Sequence, residues 1–350
     1  MSLHTRPLGD TGMDITRVGL GAWAIGGGGW RYSWGEQDDA ESIAAIRHAV
    51  ENGVNWIDTA AVYGLGHSEE VVGKAVAHIP EADRPFVFTK CGLVWDEDDP
   101  EAPPHRIMRP DSVRREVEGS LSRLGVDRID LFQVHWPDTG ASLEYSGEES
   151  GGPAPQATPI EEYWAVMADL KAEGKVRAIG LSNHDVPLLE RAEAVGHVEA
   201  VQPPFSAINR SNAAEVAWSA RNGTGVIVYS PMQSGLLTGA FSRERVEELD
   251  PADWRRGHVD FTTNLERNLA LARALEPVAE RHGTTVAAVA VAWAAAWPGV
   301  TGAIVGARRP EQIDAWLAAG SLELTEADLS EIAEATVRTG AGEGPVTPEG

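Results

Sequence analysis

The sequence predicts an α/β fold: a closed (β/α)8 barrel in a single domain, with long loops on its C-terminal face and a further C-terminal helix. Three observations carry that reading. Short apolar runs recur eight times along the 350 residues, in alternation with helical patterns. Most of these runs are continuous rather than alternating, as expected of strands buried on both faces of a parallel sheet. Ionisable residues close several of them, at the strand edge where parallel α/β folds keep their chemistry.

Arg17-Val18-Gly19-Leu20-Gly21 reads as the first strand and opens into the glycine-rich stretch from Ala22 to Trp30. The next helical pattern starts only near Asp38, so no helix N-terminus stands behind those glycines to receive a pyrophosphate, and a Rossmann fingerprint is rejected. Residues 38 to 52 carry Ile43, Ile46 and Val50 at helical spacing and stop at Gly53, a C-cap. Val54-Asn55-Trp56-Ile57 is the second strand. A helix from Ser68 to about His78 follows, with Ser68 as its cap and Glu69 and Glu70 in its first turn. Phe86 to Thr89 is the third strand, residues 111–124 a helix, and Asp130 to Val134 the fourth strand. Helices over 160–173, 185–195 and 211–221 then alternate with strands over 176–181, 199–202 and 225–229, and Ala303-Ile304-Val305 is the eighth strand. Residues 325 to 338 form the last helix. The domain runs from 1 to 338, and 339–350 has no pattern and reads as a flexible tail.

Two connections exceed the usual length of about 4 to 6 residues. Residues 138–159, rich in Gly, Ser, Pro and Glu and carrying Tyr145, read either as a lid over the active face or as an acidic excursion without a catalytic role. Residues 92–110 are the second.

Composition narrows the function classes. A net charge of −24 argues against nucleic acid, whose binding needs a basic face. Solubility or adaptation to salt accounts for the acidity better than an acidic binding surface does. No apolar segment follows the first residues and no run of about 18 apolar residues occurs, so no membrane association and a cytoplasmic location are expected. The single cysteine, Cys91, fits a reducing compartment. Oligomeric state is not encoded in any recognisable pattern.

The chemistry concentrates in Asp58-Thr59-Ala60-Ala61-Val62-Tyr63-Gly64, which follows the second strand. Lys90 closes the third strand and His135 the fourth. In a parallel sheet these four groups meet at one rim. A phenol titrates near 10 in water, so Tyr63 is a poor acid until a neighbouring ammonium lowers its pKa; Lys90 is expected to do this, with Asp58 holding Lys90 charged. His135 would hydrogen-bond the same substrate oxygen. Taken singly, each has a plainer explanation: a cap for the Asp, a solvated Lys, a packed His. Their shared position at ends of neighbouring strands points to carbonyl polarisation and protonation.

D-T-A-x-x-Y-G, followed by T-K and then Q-V-H-W-P, resembles the aldo-keto reductase family over residues 5 to 338, matching its Asp, Tyr, Lys and His at Asp58, Tyr63, Lys90 and His135. The resemblance implies an NADPH-dependent reduction of a small-molecule aldehyde or ketone on a TIM barrel, with Tyr63 as general acid and no metal. It also implies that the backbone at Ala22 and Trp23 lies beside the nicotinamide ribose, where the glycine stretch otherwise reads as a surface turn. Ser182, Asn183 and Gln202 would grip the carboxamide, although Asn183 is also placed to cap the following helix. Tyr229 would stack on the nicotinamide, and Ser230, Pro231, Gly235 and Leu236 would fold over the pyrophosphate. After the eighth strand, Gly306, Arg308 and Gln312 would meet the adenosine end. Phosphate binding after strands seven and eight is a recurrent barrel use, so Arg308 favours NADPH over NADH unless it is simply a solvated surface residue. Ala315-Trp316 stands where many relatives have Glu-Asn, and Phe205 where Tyr is frequent.

Twelve tryptophans are many for this length. Trp30, Trp95 and Trp136 fall on loops after strands one, three and four and are expected to line a pocket for bulky or cyclic carbonyl compounds. Core packing explains Trp56, Trp293 and Trp297. Two other functions remain open: a lyase forming a Schiff base at Lys90, and a sensor subunit that binds NADPH and turns over slowly.

Overall fold

Inward and outward side chains alternate along a strand, and this alternation divides the interior into two layers. The computed structural model describes residues 3–143, 157–250 and 253–348. Eight parallel strands close into a barrel in sequence order: β1 (Val18–Gly21), β2 (Trp56–Asp58), β3 (Phe86–Cys91), β4 (Ile129–Val134), β5 (Val176–Ser182), β6 (Ala200–Gln202), β7 (Gly225–Val228) and β8 (Gly302–Gly306), with β8 pairing back onto β1. The expected (β/α)8 barrel is the observed fold.

The lower layer is apolar. Trp56, Phe88, Leu131, Ala178, Ala200, Ile227 and Ile304 form one buried cluster with Leu8, Met13 and Ile15. The last three belong to an N-terminal hairpin, Thr5–Pro7 paired with Asp14–Thr16, which closes the barrel floor. Trp56 is the largest member; its Nε1 donates to Thr16 O at 2.8 Å and its ring tilts against Phe88 at 5.4 Å. Two residues further along five of these strands come Asp58, Lys90, Gln133, Gly180 and Gln202. The period of two therefore places a polar layer directly on an apolar one.

The outer ring departs from expectation in several places. The second helix is His67–Val76, and its N-cap is Gly66 rather than Ser68. Ser68 Oγ instead donates to Ala22 O at 2.8 Å and meets Thr59 Oγ1 at 2.8 Å, tying that helix to two strand ends. Asp185, not Asn183, caps the helix Val186–Glu193, accepting from Leu188 N. Helices Leu265–Ala274, Glu276–Arg281 and Val286–Ala296 lie between β7 and β8, a stretch in which no helix is expected above. Phe205 is core: it stacks on Trp293 at 5.9 Å and meets Trp297 at 5.0 Å.

The segment after the last helix, Glu326–Thr339, lies against the body of the protein as far as it is described. Glu343 bridges to Asn209, and the buried Arg210 side chain donates to Pro345 O at 2.9 Å and to Ala207 O. Residues 144–156, which include Tyr145 and most of the expected lid, lie outside the described residues. The stems of that connection are pinned by Asp138, whose Oδ2 accepts from Met108 N at 2.7 Å and Thr158 N at 3.1 Å. Among the described residues no helix is long and apolar enough to cross a membrane.

Candidate active site

Strand ends β2, β3 and β4 bring Asp58, Lys90 and His135 to one rim, and the turn after β2 brings Tyr63. That turn is held by backbone contact. Gly64 has φ 61°, and a Cβ there would lie 2.0 Å from Gly26 O, so only glycine lets the loop after β1 press against the Tyr63 turn. Lys90 is 1% exposed and Asp58 3%. Lys90 Nζ donates to Asp58 Oδ1 and, at 2.9 Å, to Thr59 O. The same nitrogen stands 5.1 Å from the centre of the Tyr63 ring. His135 meets that ring edge-on at 5.6 Å, and Trp23 stacks on it at 6.1 Å.

Burial dominates the electrostatics here. It pushes the Tyr63 phenol well above its ordinary value, and the Asp58 charge adds to the effect. The expected lowering of Tyr63 by Lys90 is therefore corrected: at this rim desolvation, with the Asp58 charge added, keeps the proton on the phenol. Burial lowers Lys90 while Asp58 pulls it back up. Burial, then the Lys90 charge, holds His135 well below the ordinary imidazole value, so it is neutral at neutral pH. The set thus holds a protonated phenol and a neutral imidazole beside an ammonium–carboxylate pair.

A second group forms around Asn183, whose φ of 61° is uncommon outside glycine. Its Nδ2 donates to His135 O at 2.9 Å, and its Oδ1 accepts from the Tyr229 hydroxyl at 2.8 Å. Ser182 Oγ donates to Gln202 O at 2.9 Å. Beneath them is a pair with no sequence signal: buried His184 gives Nδ1–H to Ser182 O at 2.7 Å, and its Nε2 accepts from the Tyr163 hydroxyl at 2.9 Å. Burial takes His184 down to about 4, so it stays neutral.

Cofactor fit rests on the donor set and on the backbone. Ser230, Gln233, Ser234 and Gly235 all take positive φ in the turn after β7. Within that turn the N–H groups of Gln233, Gly235 and Leu237 donate to its own carbonyls, Ser230 O at 2.9 Å and Met232 O at 3.1 and 3.0 Å, which holds the small residues in a tight backbone loop. Pro231 and Leu236 are buried under that turn. Gly306 ends β8. A nicotinamide dinucleotide fits such a rim.

Several of the other expected contact residues already have partners within the chain. Both backbone groups of Ala22 are already paired: its N–H donates to Asp58 O at 2.8 Å and its carbonyl accepts from Ser68. Gln312 Oε1 accepts from the N–H of Arg308 at 2.7 Å and of Arg309 at 3.2 Å, so it caps the helix Pro310–Leu317. Trp316 is buried in the core, and Ala315 O accepts from Thr285 Oγ1. Arg308 is engaged by the loop after β1: Nε donates to Gln37 Oε1 at 2.6 Å, one terminal nitrogen to Trp34 O at 3.0 Å and the other to Glu36 O. Trp30 is 4% exposed and packs under the mouth with Ala60, Val62 and Leu93, while Trp95 and Trp136 sit partly exposed against that cluster. Arg106 lies over the Trp136 ring at 4.8 Å.

Behind Lys90, the bend at Gly92 is held by Glu116, whose Oε2 accepts from Gly92 N at 2.8 Å and Oε1 from Ser112 Oγ at 3.2 Å. Burial pushes this carboxyl up to about 7. Burial and Glu116 likewise push the Cys91 thiol well up, so it is no nucleophile at neutral pH. Because the folded pKa of Glu116 exceeds the unfolded value of 4.5, the folded state binds more protons between pH 4.5 and 7, and stability falls as pH rises through that window. Glu116→Gln is expected to unfold later than wild type at pH 7.5, by at most about 3 kcal/mol, and to converge with it near pH 4.5. Unfolding midpoints across pH check this; a constant offset would refute it.

The sequence profile of the aldo/keto reductase family matches residues 17–336. The NADH-specific methylglyoxal reductase of Escherichia coli (strain K12) is 35% identical over 344 residues, covering 95% of this chain and 99% of that protein. Aldo-keto reductase YhdN of Bacillus subtilis (strain 168) is 35% identical over 348 residues, covering 98% and 96%. Among solved structures, the glycerol dehydrogenase AKR11B4 from Gluconobacter oxydans superposes with a TM-score of 0.85 at 33% identity, covering all of both chains. The chain belongs to the aldo/keto reductase family, and it is an oxidoreductase of carbonyl compounds that uses a nicotinamide cofactor.

Proposed function

We propose that this protein reduces aldehydes or ketones to alcohols, with Tyr63 as the general acid and Lys90, Asp58 and His135 assisting. The observation that carries the proposal is the convergence of Lys90 Nζ and the His135 ring on the Tyr63 ring, at 5.1 and 5.6 Å, at the open end of the barrel. A bound nicotinamide supplies the hydride. The chain's own groups handle the proton. Neutral His135 donates a hydrogen bond to the carbonyl oxygen and orients it. As negative charge grows on that oxygen it becomes far more basic than a phenolate, so even the raised Tyr63 phenol gives up its proton. The Lys90 ammonium beside the ring stabilises the phenolate left behind, and Asp58 keeps Lys90 aimed. Pairing with Asp58 also weighs against a Schiff-base lyase, because an ammonium has no lone pair to attack with.

Ser182, Asn183, Gln202 and Tyr229 are proposed to hold the nicotinamide, and the turn at 230–236 the pyrophosphate. For the adenosine end we favour NADPH. Arg308 and the exposed Arg309 stand side by side in a chain of net charge −24, and burial first, then repulsion from Arg309, lowers Arg308. One observation favours a second reading, NADH: all three nitrogens of Arg308 already donate, to Gln37, Trp34 and Glu36, which leaves a 2'-phosphate only the remaining terminal N–H groups.

The test is oxidation of NADPH and of NADH with 4-nitrobenzaldehyde by wild type and Arg308→Ala. The NADPH reading expects kcat/KM with NADPH to fall at least about tenfold in the variant, the loss of one charged hydrogen-bonded pair, with the NADH value unchanged. A wild type that prefers NADH would establish the second reading instead, and an unchanged NADPH to NADH ratio in the variant would remove Arg308 from the assignment. No turnover with either cofactor would sink the reductase proposal.

A further inference from the structure

Of the inward-facing polar layer, one member has no part in the chemistry proposed above. Gln133 faces Lys90 in the β3–β4 register and Gly180 in the β4–β5 register, and it is fully buried. Its Nε2 donates to Asp58 Oδ2 at 3.2 Å, and its Oε1 accepts from Gln202 Nε2 at 3.0 Å. Gln202 Nε2 donates to the same Asp58 oxygen at 2.9 Å. Asp58 is thereby divided: Oδ1 serves Lys90, and Oδ2 takes two amide N–H groups. The fold leaves room for this, since a Cβ on Gly180 would stand 3.2 Å from Gln133 Cγ and 2.9 Å from Ala200 O.

The network has one workable sense. Gln202 presents nitrogen to two acceptors, a carboxylate oxygen and an amide oxygen; turned over, its own oxygen would face both, lone pair against lone pair. As long as Gln133 stays in place, Gln202 therefore keeps Oε1 for partners other than Asp58.

We propose that Gln133 is the positioning residue of this site: it steadies Asp58 against Lys90 and locks the Gln202 amide so that its oxygen is offered to the N–H of a nicotinamide carboxamide. The inference rests on the reductase reading. Leucine at 133 removes one donor from Asp58 and frees Gln202 to turn, which leaves buried polar atoms unmatched. A carboxyl at 133 can replace the amide only while protonated. Once ionised it has nothing to donate and stands against a second carboxylate, which also raises its pKa.

The experiment compares wild type, Gln133→Leu and Gln133→Glu. Cofactor dissociation constants come from quenching of tryptophan fluorescence, and unfolding midpoints and kcat are followed across pH. Gln133→Leu is expected to bind both NADPH and NADH about tenfold more weakly and to lose about tenfold in kcat, with KM for the aldehyde unchanged. Gln133→Glu is expected to approach wild type at the acid end and to lose affinity and kcat together as the introduced carboxyl ionises, at lower pH than the alkaline fall of wild type. If Gln133→Leu fails to fold, Gln133→Glu decides. A Gln133→Leu protein with wild-type affinity and kcat, or a Gln133→Glu protein with the wild-type pH profile, overturns the proposal. A wild type that binds cofactor and reduces no aldehyde defeats the reductase reading alone, because the affinities still test Gln133.

Discussion

Replacing Tyr63 by phenylalanine is expected to lower kcat for aldehyde reduction by about 10²- to 10⁴-fold, the usual contribution of a positioned acid, with cofactor affinity unchanged. The phenol lies under Trp23, edge-on to His135, and burial keeps it protonated. The donor form is therefore populated at neutral pH, and phenylalanine removes the proton with little change in shape. The sign of the pH dependence follows. Neither His135, which is already neutral, nor Tyr63, which is raised, titrates near neutrality, so the reductive rate is expected to be level there. It falls on the alkaline side as Lys90, whose pKa burial depresses, loses its charge. Steady-state rates across pH, with fluorescence titration of the cofactor, measure both effects. A kcat loss below about tenfold would show that another group delivers the proton.

Lys90→Met is expected to cost about 3 to 5 kcal/mol of stability, since it strands a buried carboxylate, and to abolish most activity. Asp58 is 3% exposed and Lys90 holds one of its two oxygens. Two amide N–H groups on the other oxygen do not neutralise a charge in so dry a place. The double variant Lys90→Met with Asp58→Asn should regain most of the lost stability, because charge and counter-charge go together, yet remain inactive. Urea unfolding gives the stabilities and NADPH oxidation the activities. A single variant as stable as wild type would mean that Asp58 is not held as an ion by this lysine.

Lys90 and His135 stand at the ends of apolar runs, and a charge closing such a run is readable without coordinates. Gln133 is not, because an amide inside a strand looks like an ordinary outward polar residue. The clue was its distance of two from Leu131, which puts both on one face, and its register with Lys90. Val286–Ala296 is hard to read for the opposite reason: it is buried on nearly every side, so no polar stripe breaks its run of alanines and valines. The hairpin strands Thr5–Pro7 and Asp14–Thr16 are too short to show a period. Residue types also could not say how Tyr63 titrates. Proximity to Lys90 was inferable from spacing, whereas the desolvation that outweighs it depends on how tightly Trp23 and the Gly26–Gly64 contact close over the ring. The loop that occupies Arg308 was hidden likewise, since its acceptors at Trp34 and Glu36 are backbone carbonyls that any sequence possesses.

The sealed barrel floor sets the traffic of the proposed reaction. Among the described residues, Trp56, Phe88 and Leu131, backed by Leu8, Met13 and Ile15 from the hairpin, fill the base with apolar side chains. Every proton that Tyr63 gives away must therefore be replaced through the mouth by which the carbonyl compound entered, so recharging of the acid and departure of the alcohol share one doorway.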